Sequence, residues 1–308
     1  MRIAALAGGV GAARLLRGMV EVVDPASVTA IVNTGDDFVI HGLHVSPDLD
    51  TVTYTLADAV NPETGWGLAG ETWRTMEALD RFGPELTWFR LGDRDLATHL
   101  YRTRRLGEGA PLSTVTDEVV GAFGVGARLL PVTDDPVATR VDVVGEGEID
   151  FQDYFVRRRH DVPVRGVRIA GAEASRPAPG VLAALAEAGR VVICPSNPVV
   201  SIDPILAVPG LREAVMARRD DVVAVSPIVA GAALKGPAAR LLADLGHDVS
   251  VVGVARLYAH LASVLVVDEV DGWLAGAVED EGVRCVVAPA VMRGRPEAVA
   301  LATVVLGA

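Results

Sequence analysis

The chain has 308 residues, of which 50% are hydrophobic and 22% are charged, and this suits one large α/β domain with a sizeable core. The formal net charge of −12 argues against nucleic acid and anionic membranes as partners, because an acidic surface repels both. No stretch approaches the roughly 20 apolar residues of a membrane span, so we expect a cytoplasmic protein.

The chain opens with a strand–helix–strand pattern. Residues 2–6 form an apolar run that predicts a strand, and the glycine loop Gly8-Gly9-Val10-Gly11 follows it. Residues 12–22 show helical spacing, and residues 28–32 predict the second strand. A βαβ opening of this length predicts a parallel sheet.

Helical patterns dominate the next part of the chain. Residues 41–50 read as irregular, and Asp48 is placed to cap a helix from about 49 to 60. Three further helices are predicted at 71–82, 93–105 and 113–123. We therefore expect a helical insertion at about 60–125 within a single domain that spans residues 1–308.

Strands and helices alternate through the remainder. Apolar runs predict strands at 128–131, 137–143, 164–169, 191–194, 222–225 and 264–268. Helices are predicted between them, at 181–188, 211–218 and 235–245. The fold class expected is a Rossmann-like α/β fold, a doubly wound and mostly parallel sheet with a helical insertion.

Small and polar residues follow three of the predicted strands. They are the glycine loop with Gly8, Gly9 and Gly11, the run from Asn33 to Asp37, and Ser196-Asn197-Pro198. Ligands of open parallel sheets bind beyond the carboxyl ends of the strands, so we expect these segments to converge on one crevice.

The glycine loop suits a phosphate group, because it can present backbone N–H groups at the start of a helix. It is not a Walker A loop, since no Gly-Lys-Ser/Thr follows it. Arg14 stands where the dinucleotide fingerprint needs Gly or Ala, and the second strand ends in Asn33-Thr34, with no acid in the position that binds a ribose hydroxyl. A nicotinamide oxidoreductase is thus disfavoured, and a tight turn without a ligand stays an alternative.

Four carboxylates, Asp36, Asp37, Asp48 and Asp50, cluster in sequence after the second strand. Magnesium takes a few carboxylates together with waters and phosphate oxygens, so they are candidate metal ligands. A metal there would neutralise a diphosphate, and one carboxylate could instead accept a proton from an attacking hydroxyl. The alternative for each acid is turn capping.

Other polar positions allow a functional and a structural interpretation. Asp93 suits a helix cap, and Arg94 suits a phosphate clamp or an ion pair. Ser196 and Asn197 suit a base or a ribose, or a turn between prolines. Lys235, the only lysine, precedes a predicted helix, where a bound phosphate would offset the unfavourable helix dipole.

Several of these motifs together resemble the 2-phospho-L-lactate transferase family (CofD, also called FbiA). They recur in order over about the first 240 residues: Gly8 to Gly11, Asn33 to Asp37, Ser46 to Thr51, Leu91 to His99, Ser196 to Pro198, and Ser226 to Pro237. The resemblance implies a Rossmann-like, magnesium-dependent homodimer that acts in biosynthesis of the deazaflavin coenzyme F-420.

The resemblance also implies the substrates. The donor is a guanosine diphosphate diester that carries lactate or enolpyruvate, and the acceptor is the 8-hydroxy-5-deazaflavin precursor Fo. The terminal ribityl hydroxyl of Fo attacks the phosphorus that bears the small acid, and GMP leaves. Lactyl and enolpyruvyl donors differ only in saturation, so the sequence leaves that choice open.

Roles carry over only where the motifs match. Gly8, Gly9, Gly11, Asn33, Ser196, Asn197 and Lys235 fall where the family handles the guanosine donor. Asp48 and Asp50 fall in the stretch associated with metal and deazaflavin, and Asp93 and Arg94 in the motif associated with acceptor binding. The family loop often reads Gly-Gly-x-Gly-Gly-x-Lys, whereas this chain reads Gly-Gly-Val-Gly-Ala-Ala-Arg.

The alternative is a regulatory protein of the sister gluconeogenesis-factor-like family, which binds nucleotide sugars. That family shares the Asn-Thr-Gly-Asp-Asp run but continues with Gly-Gly-Ser-Ser-Gly. This chain continues with Phe38-Val39-Ile40-His41 and then Ser46-Pro47-Asp48, which favours the transferase.

Overall fold

The computed structural model describes residues 1–234 and 236–308. The strands in chain order are β1 (Ile3–Ala7), β2 (Val28–Val32), β3 (Phe38–Ile40), β4 (Leu43–Val45), β5 (Arg128–Pro131), β6 (Ala138–Val143), β7 (Gly147–Asp150), β8 (Val164–Ala170), β9 (Arg190–Ile193), β10 (Val222–Val225), β11 (Ile228–Val229), β12 (Ala232–Ala233), β13 (Val264–Val267) and β14 (Arg284–Val287). The α-helices are α1 (Gly9–Val22), α2 (Pro47–Leu56), α3 (Arg74–Leu79), α4 (Asp95–Gly107), α5 (Leu112–Ala122), α6 (Val181–Glu187), α7 (Asp203–Leu206), α8 (Leu211–Met216), α9 (Ala238–Asp244), α10 (Val251–Tyr258), α11 (Ala275–Asp280) and α12 (Arg295–Gly307).

Seven of these strands form one parallel sheet in the order β14-β13-β10-β9-β1-β2-β5. The chain first builds outward from β1 through β2 to β5 and then crosses to β9 on the other side of β1. This reversal between β1 and β9 is the switch point at which open α/β sheets bind ligands. The predicted Rossmann-like fold class is confirmed.

Helices cover both faces of this sheet, which is why its central strands are continuous apolar runs. In β1 alternate residues enter opposite layers, so Leu6 belongs to the core layer that includes residues of α6, α8, α9 and α10, whereas Ala5 belongs to the layer that includes residues of α1, α2, α5 and α12. All five β1 residues are buried. Among the described residues no helix is long and apolar enough to cross a membrane.

A short hairpin replaces the first part of the predicted irregular stretch. Strands β3 and β4 pair antiparallel, and the turn residues His41 and Gly42 have φ angles of 53° and 76°. Two successive positive φ angles are typical of a type I′ hairpin turn. Helix α2 then begins at Pro47, so Asp48 lies inside its first turn and the predicted cap at Asp48 is wrong.

Helix α3 is shorter than the predicted helix at 71–82, and two carboxylates cap α3 and α4 reciprocally. Glu71 accepts hydrogen bonds from the N–H groups of Arg94 and Asp95, both at 2.7 Å, at the start of α4. Asp93 accepts from the N–H groups of Arg74 and Thr75, both at 3.0 Å, at the start of α3. Asp93 therefore caps α3, whereas the sequence predicts that it caps the helix that follows it.

Three further strands form a separate antiparallel sheet in the order β7-β6-β8, so the predicted strands at 137–143 and 164–169 lie outside the parallel sheet. The helix predicted at 235–245 begins at Ala238. Lys235 itself lies outside the described residues. The C-terminal helix α12 packs on α1 so closely that a Cβ at Gly18 would overlap the Ala298 carbonyl.

Candidate active site

The loops that follow β1, β2 and β9 meet at the switch point. The N–H of Gly8 donates to Ser196 Oγ at 3.2 Å, and the Ser196 hydroxyl donates to the Gly8 carbonyl at 2.9 Å. The N–H of Gly9 donates to Asp48 Oδ1 at 2.6 Å. Asn33 Nδ2 donates to Asp48 Oδ2 at 2.9 Å. The structure thus brings the three polar strand ends together, as the sequence predicts.

The glycines of the first loop are required for different physical reasons. A Cβ at Gly8 would lie 2.7 Å from Asp48 Oδ2, and a Cβ at Gly11 would overlap the Pro195 carbonyl. Gly9 has free space around it but a φ of 75°, which L-residues adopt rarely. The loop therefore lets the start of α1 reach the crevice, where first-turn N–H groups lack intrahelical partners and attract phosphate.

Asn33 organises the carboxylates around this crevice. It is 1% exposed, and its Nδ2 donates to Asp48 and, at 3.3 Å, to Asp36 Oδ1. Its Oδ1 accepts from the N–H of Gly35 at 2.8 Å. One buried amide therefore holds two acids of the cluster in fixed positions.

Burial makes Asp36, Asp37 and Asp48 hard to ionise, and repulsion from neighbouring acids adds to this for Asp36 and Asp37. Burial and the charges of Asp48 and Asp37 raise the pKa of Asp36 well above its ordinary value. Burial also raises the pKa of Asp37, although a Ser46 hydrogen bond and the charge of Arg102 act against it. Burial raises the pKa of Asp48 to about 6 against the hydrogen bonds from Asn33 and Gly9. With its acids ionised, the described part of the cluster would carry more negative charge than its surroundings balance.

Asp37 has the carboxylate oxygen that is best placed for a metal ion. Its Oδ2 accepts from Ser46 Oγ at 2.6 Å, and its Oδ1 is buried without a hydrogen-bond partner in the described structure. Both oxygens of Asp48 accept hydrogen bonds, and both oxygens of Asp50 face Arg102. A free buried oxygen among raised-pKa carboxylates fits a hard divalent cation.

Asp50 belongs to a second polar cluster, which the sequence analysis missed. Oxygens of Asp50 and Asp95 and a ring nitrogen of His99 lie within 4.8 Å of one another, a grouping that can hold a metal. The guanidinium of Arg102 already lies there, with Nη1 3.1 Å from Asp50 Oδ2 and 3.4 Å from His99 Nδ1. Because Arg102 supplies the positive charge, the cation fits the Asp37 side of the cluster better.

Asp93 and Arg94 do not contact the acidic cluster. Asp93 caps α3, and hydrogen bonds from Thr72 and the Arg74 and Thr75 backbone hold its pKa well below the ordinary value. The exposed Arg94 donates from its guanidinium to the Ala69 carbonyl. Both residues thus fasten the segment before α4.

Asn197 lies at the crevice with one unused donor. Its Oδ1 accepts from the N–H of Val199 at 2.9 Å, which caps the short helix that follows. Its Nδ2 is buried and has no partner in the part of the chain that the structure describes. An unpaired buried donor at a strand end is a candidate ligand contact.

A cavity of about 610 Å³ opens beside Asp37. Its walls are mostly apolar and include Phe38, Leu106 and Leu112, with Asp134 and Asp135 at the polar side. This volume and lining are typical of small-molecule sites. The sequence analysis did not single out Asp134 and Asp135, which follow β5, the edge strand beside β2.

The fold and the site define a Rossmann-like α/β protein with a buried carboxylate cluster at the switch point of its sheet. A sequence model of the family described as 2-phospho-L-lactate transferase CofD matches residues 3–286. The chain therefore belongs to the CofD family of transferases.

Curated relatives match along most of their length. A phosphoenolpyruvate transferase from Streptomyces griseus is 47% identical over 95% of this chain and 93% of its own. A protein of the same name from Thermobifida fusca is 45% identical over 96% of this chain and 92% of its own. Another from Mycobacterium tuberculosis is 43% identical over 87% of this chain and 86% of its own. A solved structure of a UPF0052 family protein from Bacillus halodurans covers 99% of this chain and 98% of its own with a TM-score of 0.63. At 16% identity, that match shows the fold alone.

Proposed function

We propose that the protein transfers a phosphoenolpyruvyl group from a guanosine diphosphate diester to the ribityl hydroxyl of Fo, releasing GMP, in F-420 biosynthesis. The observation that carries the proposal is the meeting of the α1 N-terminus with a buried carboxylate cluster that has a free oxygen on Asp37. Relatives named phosphoenolpyruvate transferase support the enolpyruvyl donor over the lactyl donor.

The donor would lie along the strand ends. The first-turn N–H groups after Gly9 suit its diphosphate, and the unused Nδ2 of Asn197 suits its ribose or base. Ser196 and Asn33 would act indirectly: Ser196 holds the glycine loop in place, and Asn33 holds the acids in place. Lys235 remains a candidate phosphate contact from the family resemblance.

Magnesium is the cation that we propose for the Asp36, Asp37, Asp48 and Asp50 cluster. When bound, it neutralises the diphosphate of the donor and polarises the phosphorus–oxygen bonds. The free Oδ1 of Asp37 supports its role as a direct ligand.

The acceptor would occupy the cavity beside Asp37, with the helical insertion of residues 60–125 as one wall through Leu106 and Leu112. The ribityl oxygen attacks the phosphorus that bears the small acid, and the bond from that phosphorus to the GMP oxygen breaks. Asp48 or Asp50 accepts the hydroxyl proton. Arg94 stays a candidate acceptor contact on resemblance alone, and we also propose a cytoplasmic homodimer on that basis.

A fluorescence titration with Fo, in the presence of GDP and magnesium, tests this proposal. Wild-type protein should bind Fo saturably, and Asp37→Asn should lose the magnesium dependence because the amide keeps the Ser46 hydrogen bond but loses the charge. Asp220→Asn is the matched control, since Asp220 has a 98% exposed side chain. Absence of Fo binding while GDP still binds would contradict the proposal.

A further inference from the structure

Helices α2 and α4 share a buried polar ladder that the proposed chemistry does not by itself require. Asp50 and Tyr54 lie one turn apart on α2, and Asp95, His99 and Arg102 lie on successive turns of α4. Side chains spaced three or four residues apart share a helix face, so the two rows face each other. Arg102 is only 3% exposed and His99 only 1%.

The contacts form one continuous chain that begins at Asp50. Arg102 binds both carboxylate oxygens of Asp50, and His99 Nδ1 lies 3.8 Å from Asp50 Oδ2. His99 Nε2 lies 3.1 Å from Asp95 Oδ2, and the Tyr54 hydroxyl donates to Asp95 Oδ1 at 2.6 Å. Tyr54 also contacts Thr98 Oγ1 at 2.9 Å.

Fold stability alone does not account for such a ladder. A buried ion pair is often no more stabilising than apolar residues of the same volume, because desolvation offsets its attraction. A bidentate guanidinium instead fixes both the distance and the plane of a carboxylate.

We infer that Arg102, in contact with His99 and through it with Asp95 and Tyr54, is a positioning residue that fixes the Asp50 carboxylate at its place in the acidic cluster proposed to hold the cation. This inference rests on the proposed function. Outer partners of carboxylate ligands fix ligand orientation, and their loss weakens metal affinity or activity by roughly 10- to 100-fold. The ladder would do this for Asp50 from the helix α4 side of the crevice.

Arg102→Lys is the direct test, because lysine keeps the charge but cannot bind both oxygens of Asp50 in one plane. Arg105→Lys is the matched control on the same helix, since Arg105 pairs with Glu118 and Glu108 near the surface. We expect Arg102→Lys to bind Mn²⁺ about tenfold more weakly by calorimetry and to lower kcat by a similar factor. The KM for the donor should change little, because the strand-end loops bind it.

Tyr54→Phe keeps the inference testable if Arg102→Lys fails to fold. It removes the Asp95 hydrogen bond without touching Asp50, and we expect a smaller fall in both Mn²⁺ affinity and kcat. A folded Arg102→Lys, or Tyr54→Phe, with wild-type Mn²⁺ affinity and kcat would overturn the inference. If wild-type protein does not act on Fo, the proposed function fails, and the Mn²⁺ affinities of the variants still decide the positioning role.

Discussion

Acidification from pH 7 to pH 5 should weaken divalent-cation binding by at least tenfold. Carboxylates bind metal in their ionised form, so protons compete with the cation below the pKa of each acid. The pKa of Asp48 is raised by burial to about 6. For that pKa the ionised fraction falls from about nine-tenths at pH 7 to about one-tenth at pH 5, and the tenfold loss equals about 1.4 kcal/mol.

Asp36 and Asp37 act in the same direction, because burial raises the pKa of each. Acids whose pKa is lowered, such as Asp93, stay ionised throughout this range and do not contribute. Calorimetric titration with Mn²⁺ at pH 7, 6 and 5 measures the effect, and comparison at each pH with Asp220→Asn controls for surface acids. Equal affinity at pH 7 and pH 5 would show that the cluster is fully ionised at pH 5 and would refute the raised pKa values.

Three substitutions test other parts of the structure. Gly8→Ala should destabilise the fold by about 1–3 kcal/mol in urea unfolding and weaken GDP binding, because its Cβ would crowd Asp48. The control Gly121→Ala, in open space on α5, should not destabilise the fold. Equal stabilities of the two variants would contradict the close packing at Gly8. Asp93→Ala should cost about 1–2 kcal/mol through the lost α3 cap and leave GDP affinity unchanged, so a specific loss of GDP affinity would contradict a purely structural role. Asn33→Asp should lower the melting temperature of metal-free protein, because it adds a buried acid beside Asp36 and Asp48, and magnesium should restore the melting temperature. An unchanged melting temperature without metal would count against an excess of negative charge in the ionised cluster.

The strands and the crevice could be predicted from the sequence because their signals are local. Each central strand is an apolar run, and the glycine loop, Asn33 and Ser196 each stand directly after one. Parallel topology then requires these ends to share one edge of the sheet. The order of the strands, with β9 beside β1, the edge strand β14 and the separate sheet β7-β6-β8 needed the structure.

The features that the sequence did not predict are either too short to show a pattern or depend on contacts between distant residues. The hairpin strands β3 and β4 have three residues each, which is too short to show the two-residue alternation of a strand, and only Gly42 marks their turn. The reciprocal caps join Glu71 to α4 across 23 residues and Asp93 to α3 across 18 residues. Arg102 lies 52 residues from Asp50, and only its helical spacing from His99 and Asp95 could have indicated a shared buried face.

The central claim is the transfer of an enolpyruvyl-bearing phosphate onto Fo. The most direct measurement mixes the protein with Fo, the guanosine-linked enolpyruvyl donor and magnesium, and follows GMP release together with the mass of the deazaflavin product. We predict one GMP per modified Fo with wild-type protein, and loss of both with Asp37→Asn. Unmodified Fo with wild-type protein, or full turnover with Asp37→Asn, would contradict the proposed reaction or its site.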